Sequence, residues 1–209
     1  MTGVAVIGIG SAGQRHLREL REIINVDPIA VSKREERVHE LKRLGYSATE
    51  HLGSAIRMGA KLCLVASDTG EHLQDGLNAL EAGLDVLVEK PLARDAGEAR
   101  RLQECSLNLG RKLFVGCGLR FSESLNWFKD SLPKIGRLHS VSFDAQSFLP
   151  DWRPQRPYRD SYSSRLAEGG VLRDLIHEID YAVWIFGRPI SIQASLRNLG
   201  QLGIDPEET

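Results

Sequence analysis

The run "VAVIGIGSAGQRHLREL", Val4 to Leu20, decides how the chain folds. Val4 to Ile9 reads as a buried strand, and Leu17, Leu20 and Ile24 then recur at helical spacing. Between them Gly8, Gly10 and Gly13 form G-x-G-x-x-G, which has a mechanism only where a strand opens into a helix. The first glycine allows the tight turn, the second lets backbone approach a pyrophosphate, and the third lets helix pack on strand. Ser11 and Ala12 begin the helix, so their N–H groups and the positive end of its dipole face the anion.

The same alternation continues outward. "PIAV" (Pro28–Val31), "LCLVA" (Leu62–Ala66), "VLVE" (Val86–Glu89) and "LFVGC" (Leu113–Cys117) are further strands. Helical stripes separate them: Val38, Leu41 and Leu44; Leu73, Leu77 and Leu80; Leu102, Cys105 and Leu109. Continuous apolar strands alternating with helices imply an α/β, doubly wound parallel (Rossmann) sheet. Beyond a boundary near Gly118 the pattern changes. Ser140–Gln146 and Ile190–Leu196 alternate apolar and polar residues, which suits a mostly antiparallel sheet, and a helix is expected over Gly170–Phe186. The expected organisation is a dinucleotide-binding domain over 1–118 and an α+β substrate domain over 119–209.

Composition sets the outer limits. The 209 residues are 42% hydrophobic and 26% charged, the balance of a folded globular chain. A net charge of −1 offers no argument for a nucleic-acid or membrane surface. The first strand starts at once, leaving no room for a signal peptide, and Cys63, Cys105 and Cys117 lack metal or redox spacing. A cytoplasmic location and no metal are the expectations.

Three stretches carry chemistry. The residue that discriminates nicotinamide cofactors should follow the second strand; there the chain has Ser32, Lys33 and Arg34, a hydroxyl and two cations. They favour the 2′-phosphate of NADP over NAD, the alternative being a basic helix start with Glu35 or Glu36 turned toward the ribose. Lys90 directly follows a strand, at the sheet edge where ligands bind, and Pro91 restricts its backbone. It reads as a fixed cation for a reacting oxygen; a surface Glu89–Lys90 pair is the alternative. In "EGGVLRDLIHEIDY" (Glu168–Tyr181), Asp174 and His177 are three apart on one expected helical face, with Asp180 a turn beyond. An imidazole there can take a proton from an alcohol, while the alternative is a surface or capping pair.

The glycine cradle, "LEAGLDVLVEKPLA" (Leu80–Ala93), "VGCGLRF" (Val115–Phe121) and the GG-x-L-x-D…H-x-x-D helix together resemble the Gfo/Idh/MocA oxidoreductases. That resemblance implies a nicotinamide-dependent enzyme acting on a secondary alcohol of a sugar, nucleotide sugar or cyclitol, and a homo-oligomer. It implies Lys90, Asp174 and His177 as the catalytic set, which also touches substrate. Ser67, His72 and Glu89 join Gly8, Gly10, Ser11, Ala12, Gly13, Ser32, Lys33, Arg34 and Lys90 at the cofactor. Two features depart from the family pattern: the Asp–His spacing is three rather than four, and Ser67-Asp68 stands where a proline is common. Family members also run longer, so the second domain is expected to be incomplete at Thr209.

In the expected reaction His177 removes the hydroxyl proton as hydride leaves for the nicotinamide, and Lys90 steadies charge on the oxygen. The loop "LPDWRPQRPYRDSYSSR" (Leu149–Arg165) offers guanidiniums and flat rings for an anionic or nucleotide-linked sugar. Arg120, Trp152, Arg153, Arg159 and Tyr162 are the substrate-binding candidates, against the alternative of a structural Arg/Tyr-rich crossover. The competing function is a truncated, non-catalytic dinucleotide-binding or interaction module.

Overall fold

The computed structural model describes residues 3–209, which fall into two compact units meeting at Gly116 and Cys117. In the first unit β1 (Gly3–Ile7), β2 (Pro28–Val31), β3 (Ser47–Thr49), β4 (Ala60–Val65), β5 (Asp85–Val88) and β6 (Leu113–Val115) form one sheet. Every pairing is parallel, in the order β3-β2-β1-β4-β5-β6. The helices of this unit are α1 (Ser11–Glu22), α2 (Glu35–Arg43), α3 (Leu52–Arg57), α4 (His72–Glu81) and α5 (Ala96–Asn108).

Successive side chains on a strand point to opposite faces. Ala5 and Ile7 of β1, Ile29 and Val31 of β2, and Cys63 and Val65 of β4 therefore enter one apolar cluster with Leu80 and Leu102. Val6, Ala30 and Leu64 enter the other, with Leu17, Val38 and Leu41 of α1 and α2. The burial of Cys63 among aliphatics pushes its thiol up to about 12, so it behaves as a hydrophobe. Strand order reverses between β1 and β4, and their carboxyl ends carry the glycine turn and the Ser67 loop. Ligands bind open α/β sheets at such a reversal.

Two elements of this first unit are absent from the sequence reading. Ser47–Thr49 buries only Ala48, and α3 has six residues, too few for a visible stripe. Strand ends also shift: Glu89 lies one residue past β5.

The second unit holds α6 (Glu123–Ser131), α7 (Val171–Asp174) and α8 (Ile176–Phe186), joined by irregular segments and short 3₁₀ turns. No strand occurs among its described residues, so the antiparallel sheet expected there is not formed. Ser140–Gln146 and Ile190–Leu196 find no ladder partner, and a period-two pattern without a ladder has nothing to hold it extended. Phe143 instead packs edge-on against Tyr181 and Phe186 of α8, with ring centroids 5.3 and 5.8 Å apart. The single helix expected over Gly170–Phe186 is interrupted at Leu175, whose backbone (φ −97°, ψ 29°) leaves the helical region.

Candidate active site

The cradle is built for close approach. A Cβ on Gly8, which has φ +82°, would lie 2.2 Å from the Ser67 nitrogen, and one on Gly13 would lie 2.0 Å from the Gly8 oxygen. Neither position can carry a side chain without moving backbone. A Cβ on Gly10 would meet nothing within 4 Å, so the second glycine faces open space, where a pyrophosphate has room. Gly10 caps α1 without a side-chain hydrogen bond, and the first turn holds no acidic residue. The N–H groups of Ser11, Ala12 and Gly13 have no acceptor within the helix, so the residues present fit a dinucleotide phosphate.

At the corner after β2, Ser32 is buried and its Oγ accepts the Arg34 N–H at 3.3 Å. Lys33 Nζ donates to Glu71 Oε2 at 2.6 Å, raising the lysine above its ordinary value and lowering the glutamate. Both side chains are largely exposed, so the pair is screened by water. Arg34 is exposed.

The loop after β4 is tied inward. Ser67 Oγ donates to Asp75 Oδ2 at 2.8 Å, and burial raises the Asp75 carboxyl above its usual range despite that bond. His72 is only 2% exposed. Its Nδ1 lies 2.8 Å from the Pro91 carbonyl oxygen and its Nε2 2.9 Å from that of Ser67. The expected cofactor contact thus stands inside the protein, with both ring nitrogens on backbone.

Glu89 is held against α1: Oε1 accepts from His16 Nε2 at 2.6 Å and from Arg15 at 3.4 Å, while Oε2 accepts the Lys90 N–H at 3.2 Å. Burial opposes ionisation, but His16, that N–H and Arg15 outweigh it, and the carboxyl lies below its usual range. Lys90, half-buried, follows at the carboxyl end of β5, and the Lys90–Pro91 peptide bond is cis. Sequence reasoning missed His16 and Asp75. The available signals were His16 three residues after Gly13 and Asp75 three after His72.

In the second unit Asp174 ends α7 while His177 lies in α8, on opposite sides of the break. The expectation that one continuous helical face presents both is corrected by the backbone at Leu175. Asp174 Oδ1 accepts from Ser163 Oγ at 3.2 Å. Ser163 is brought this close by Gly169, whose Cβ would lie 2.1 Å from the Ser163 main-chain carbonyl oxygen. Asp174, Ser163, Trp152, Gly170, Leu202 and Glu207 line a cavity of about 50 Å³. Burial, then the charge of Asp174, raises the Tyr162 hydroxyl above its usual value, against the opposing influence of Arg153 and hydrogen bonds from Ser163 and Arg153. Trp152 thus shares the cavity with Asp174, Tyr162 feels the Asp174 charge, and Arg153 hydrogen-bonds Tyr162.

Asp180 organises a second cluster. Arg120 donates to it through Nε (2.9 Å) and a terminal nitrogen (2.6 Å), a planar fork that two carboxylate oxygens match. That bond, more than the opposing burial, holds Asp180 below the usual carboxylate range, and Cys117 and His177 act in the same direction. His177 thus has Asp180 one turn along its own helix. Arg159 is turned elsewhere, donating to the Leu202 carbonyl at 3.2 Å.

Residues 2–117 match the family described as "Oxidoreductase family, NAD-binding Rossmann fold", and residues 133–208 match the "GFO/IDH/MocA C-terminal domain". Over 210 residues the chain is 30% identical to the inositol 2-dehydrogenase of Streptomyces avermitilis, covering 94% of this chain and 57% of that protein. It is 29% identical over 195 residues to the rhizopine catabolism protein MocA of Rhizobium meliloti, covering 88% and 57% respectively. Among solved structures, GenD2 from gentamicin A biosynthesis, in complex with NAD, superposes with a TM-score of 0.77 at 25% identity. The match covers 99% of this chain and 60% of that one. The chain thus spans a little over half the length of these relatives.

Proposed function

The chain belongs to the Gfo/Idh/MocA oxidoreductases, and from that premise we propose that it transfers hydride between a nicotinamide dinucleotide and a secondary alcohol of a sugar, nucleotide sugar or cyclitol. One observation carries the reading. The glycine cradle follows β1 and Lys90 follows β5, both at the carboxyl edge of the sheet and close to where strand order reverses.

Gly8, Gly10, Ser11, Ala12 and Gly13 would hold the pyrophosphate, with Ser67 and Glu89 at the neighbouring strand ends. When bound, the nicotinamide supplies the hydride acceptor. His177 takes the hydroxyl proton, Lys90 donates a hydrogen bond to the same oxygen and stabilises its developing charge, and Asp174 or Asp180 orients the imidazole. The proposal requires Lys90 and His177 to reach one oxygen atom. For substrate, Trp152 and Tyr162 near Asp174, with Arg153 on Tyr162, support a ring with an anionic group. Arg120 and Arg159 support it less, because Asp180 and the Leu202 carbonyl already take their guanidiniums.

NADP is the proposed cofactor, on Ser32, Lys33 and Arg34; Glu71 opposes that preference by neutralising Lys33. A cytoplasmic location belongs to the same proposal. Among the described residues no helix is long and apolar enough to cross a membrane. So does a homo-oligomer, in which the exposed Ser140–Gln146 and Ile190–Leu196 segments find strand partners.

Lys90→Ala and His177→Ala should each lower turnover about a thousandfold, with dinucleotide affinity retained. Oxidation of a panel of cyclitols and nucleotide sugars, followed by absorbance of the reduced cofactor, measures this. Wild-type turnover in either variant removes the assignment. The second reading, a dinucleotide-binding module, is favoured by the cradle lying wholly in the first unit while the second forms no sheet. Thermal stabilisation by NAD or NADP without turnover on any alcohol would establish it instead.

A further inference from the structure

Two histidines that take no part in the proposed proton transfer bond the residues on either side of Lys90, Glu89 and Pro91. The first, His16, lies on α1 just beyond the cradle; the second, His72, opens α4. His16 binds the carboxylate of Glu89, and that carboxylate's other oxygen accepts the main-chain N–H of Lys90. His72 meets the carbonyl of Pro91 with one nitrogen and that of Ser67 with the other. The run Glu89-Lys90-Pro91 is thereby tied at its first residue to the cradle helix and at its last to the loop after β4. Gly116 leaves the room this needs, since a Cβ there would come within 3.2 Å of Glu89 Oε2.

We propose that His16 and His72 are positioning residues that bracket Lys90, holding its backbone at the carboxyl end of β5 so that its ammonium meets the reacting oxygen. The role given to the ammonium rests on the function proposed above; the bracket itself does not. A lysine side chain has four flexible methylenes, so its reach is reproducible only if its main chain is fixed. A misplacement of about 1 Å costs on the order of a hundredfold in rate. Pro91 and Ser67 offer His72 only acceptors: a neutral ring donates to one carbonyl, a protonated ring to both. Asparagine or leucine cannot span the two.

The test is hydrogen exchange of the Lys90 amide together with kinetics of the full chain. His16→Ala, at a partly exposed position on a helix, should speed exchange at Lys90 about tenfold while the β1 amides keep their protection. In that variant kcat should fall about ten- to a hundredfold, with KM and dinucleotide affinity changed by less than about threefold. His16→Gln, which still donates to Glu89, should restore most of both. His72→Asn should act in the same direction; if it does not fold, the His16 pair still decides the half of the bracket that holds the lysine N–H. Unchanged Lys90 exchange and kcat in His16→Ala would overturn the bracket. If the wild type oxidises an alcohol and Lys90→Ala does not, that failure leaves the reaction standing. If the wild type oxidises nothing, faster exchange in His16→Ala still supports the bracket and only the reaction is lost.

Discussion

Val4–Ile7 and Ile190–Leu196 are both short runs rich in branched aliphatics, and they meet opposite fates. In the unit ending at Gly116, Ala5 and Val6 are fully buried on opposite faces of a six-stranded sheet. In the unit from Cys117, Ile190 and Ile192 are 106% and 81% exposed and belong to no ladder. A residue pattern can say which side chains would share a face. The face comes into being only when a neighbouring strand supplies the other half of the hydrogen bonds. The cradle and Lys90 therefore stand on a completed core, whereas Asp174 and His177 stand on two short helices none of whose residues is fully buried.

The sharpest way to break this contrast is to remove equivalent aliphatic bulk from each unit. Leu102→Ala, at a fully buried position beneath α4 and β5, should lower stability by about 2–5 kcal/mol in urea unfolding. Ile190→Ala should change it by less than about 0.5 kcal/mol. Equal losses would mean that the second unit has a core of its own around that segment.

A smaller effect compares two carboxylates. Glu89 and Asp180 both lie below the usual carboxylate range, one facing His16 from a strand end, the other facing Arg120 within the helical unit. A depressed folded value means that each contributes stability above the ordinary carboxylate range, lost as pH falls through the folded value. Arg120→Ala should remove about 1 kcal/mol at neutral pH, since the guanidinium is 43% exposed and screened. It should also flatten the acid limb of the melting profile. An unchanged limb would show that Arg120 does not hold Asp180 in solution.

The smallest effect lies at the exposed rim of the first unit. Glu71→Gln releases Lys33 and removes a negative charge beside the proposed 2′-phosphate position, so the NADP-to-NAD affinity ratio should rise about threefold at low salt, and less at high salt. Titration calorimetry with both dinucleotides reads it. A ratio that stays put would place the 2′-position away from Lys33.

The five strands other than β3 were legible because each contributes a continuous apolar run, and the cradle because its glycines fall between strand and helix. β3 was not, since Ala48 alone marks it as buried. Lys90 could be placed at a strand end by counting. The residues that hold it could not, because His16 and Glu89 are 73 positions apart and His72 and Pro91 19 apart. Nor does any glycine or proline announce the break at Leu175, so the shared helical face of Asp174 and His177 was read from spacing that the backbone does not keep.

Local order, then, resides in the amino-acid sequence itself: where the inner strands run, which side chains alternate between faces, and where backbone must stay bare for strand and helix to meet. These depend on neighbours along the chain, through periodicity and the steric freedom of glycine. Tertiary structure alone decided which carboxylate meets which cation, which histidine is enclosed, and whether an alternating run becomes a strand. Each of those depends on groups brought together from distant positions, and no spacing rule encodes that meeting.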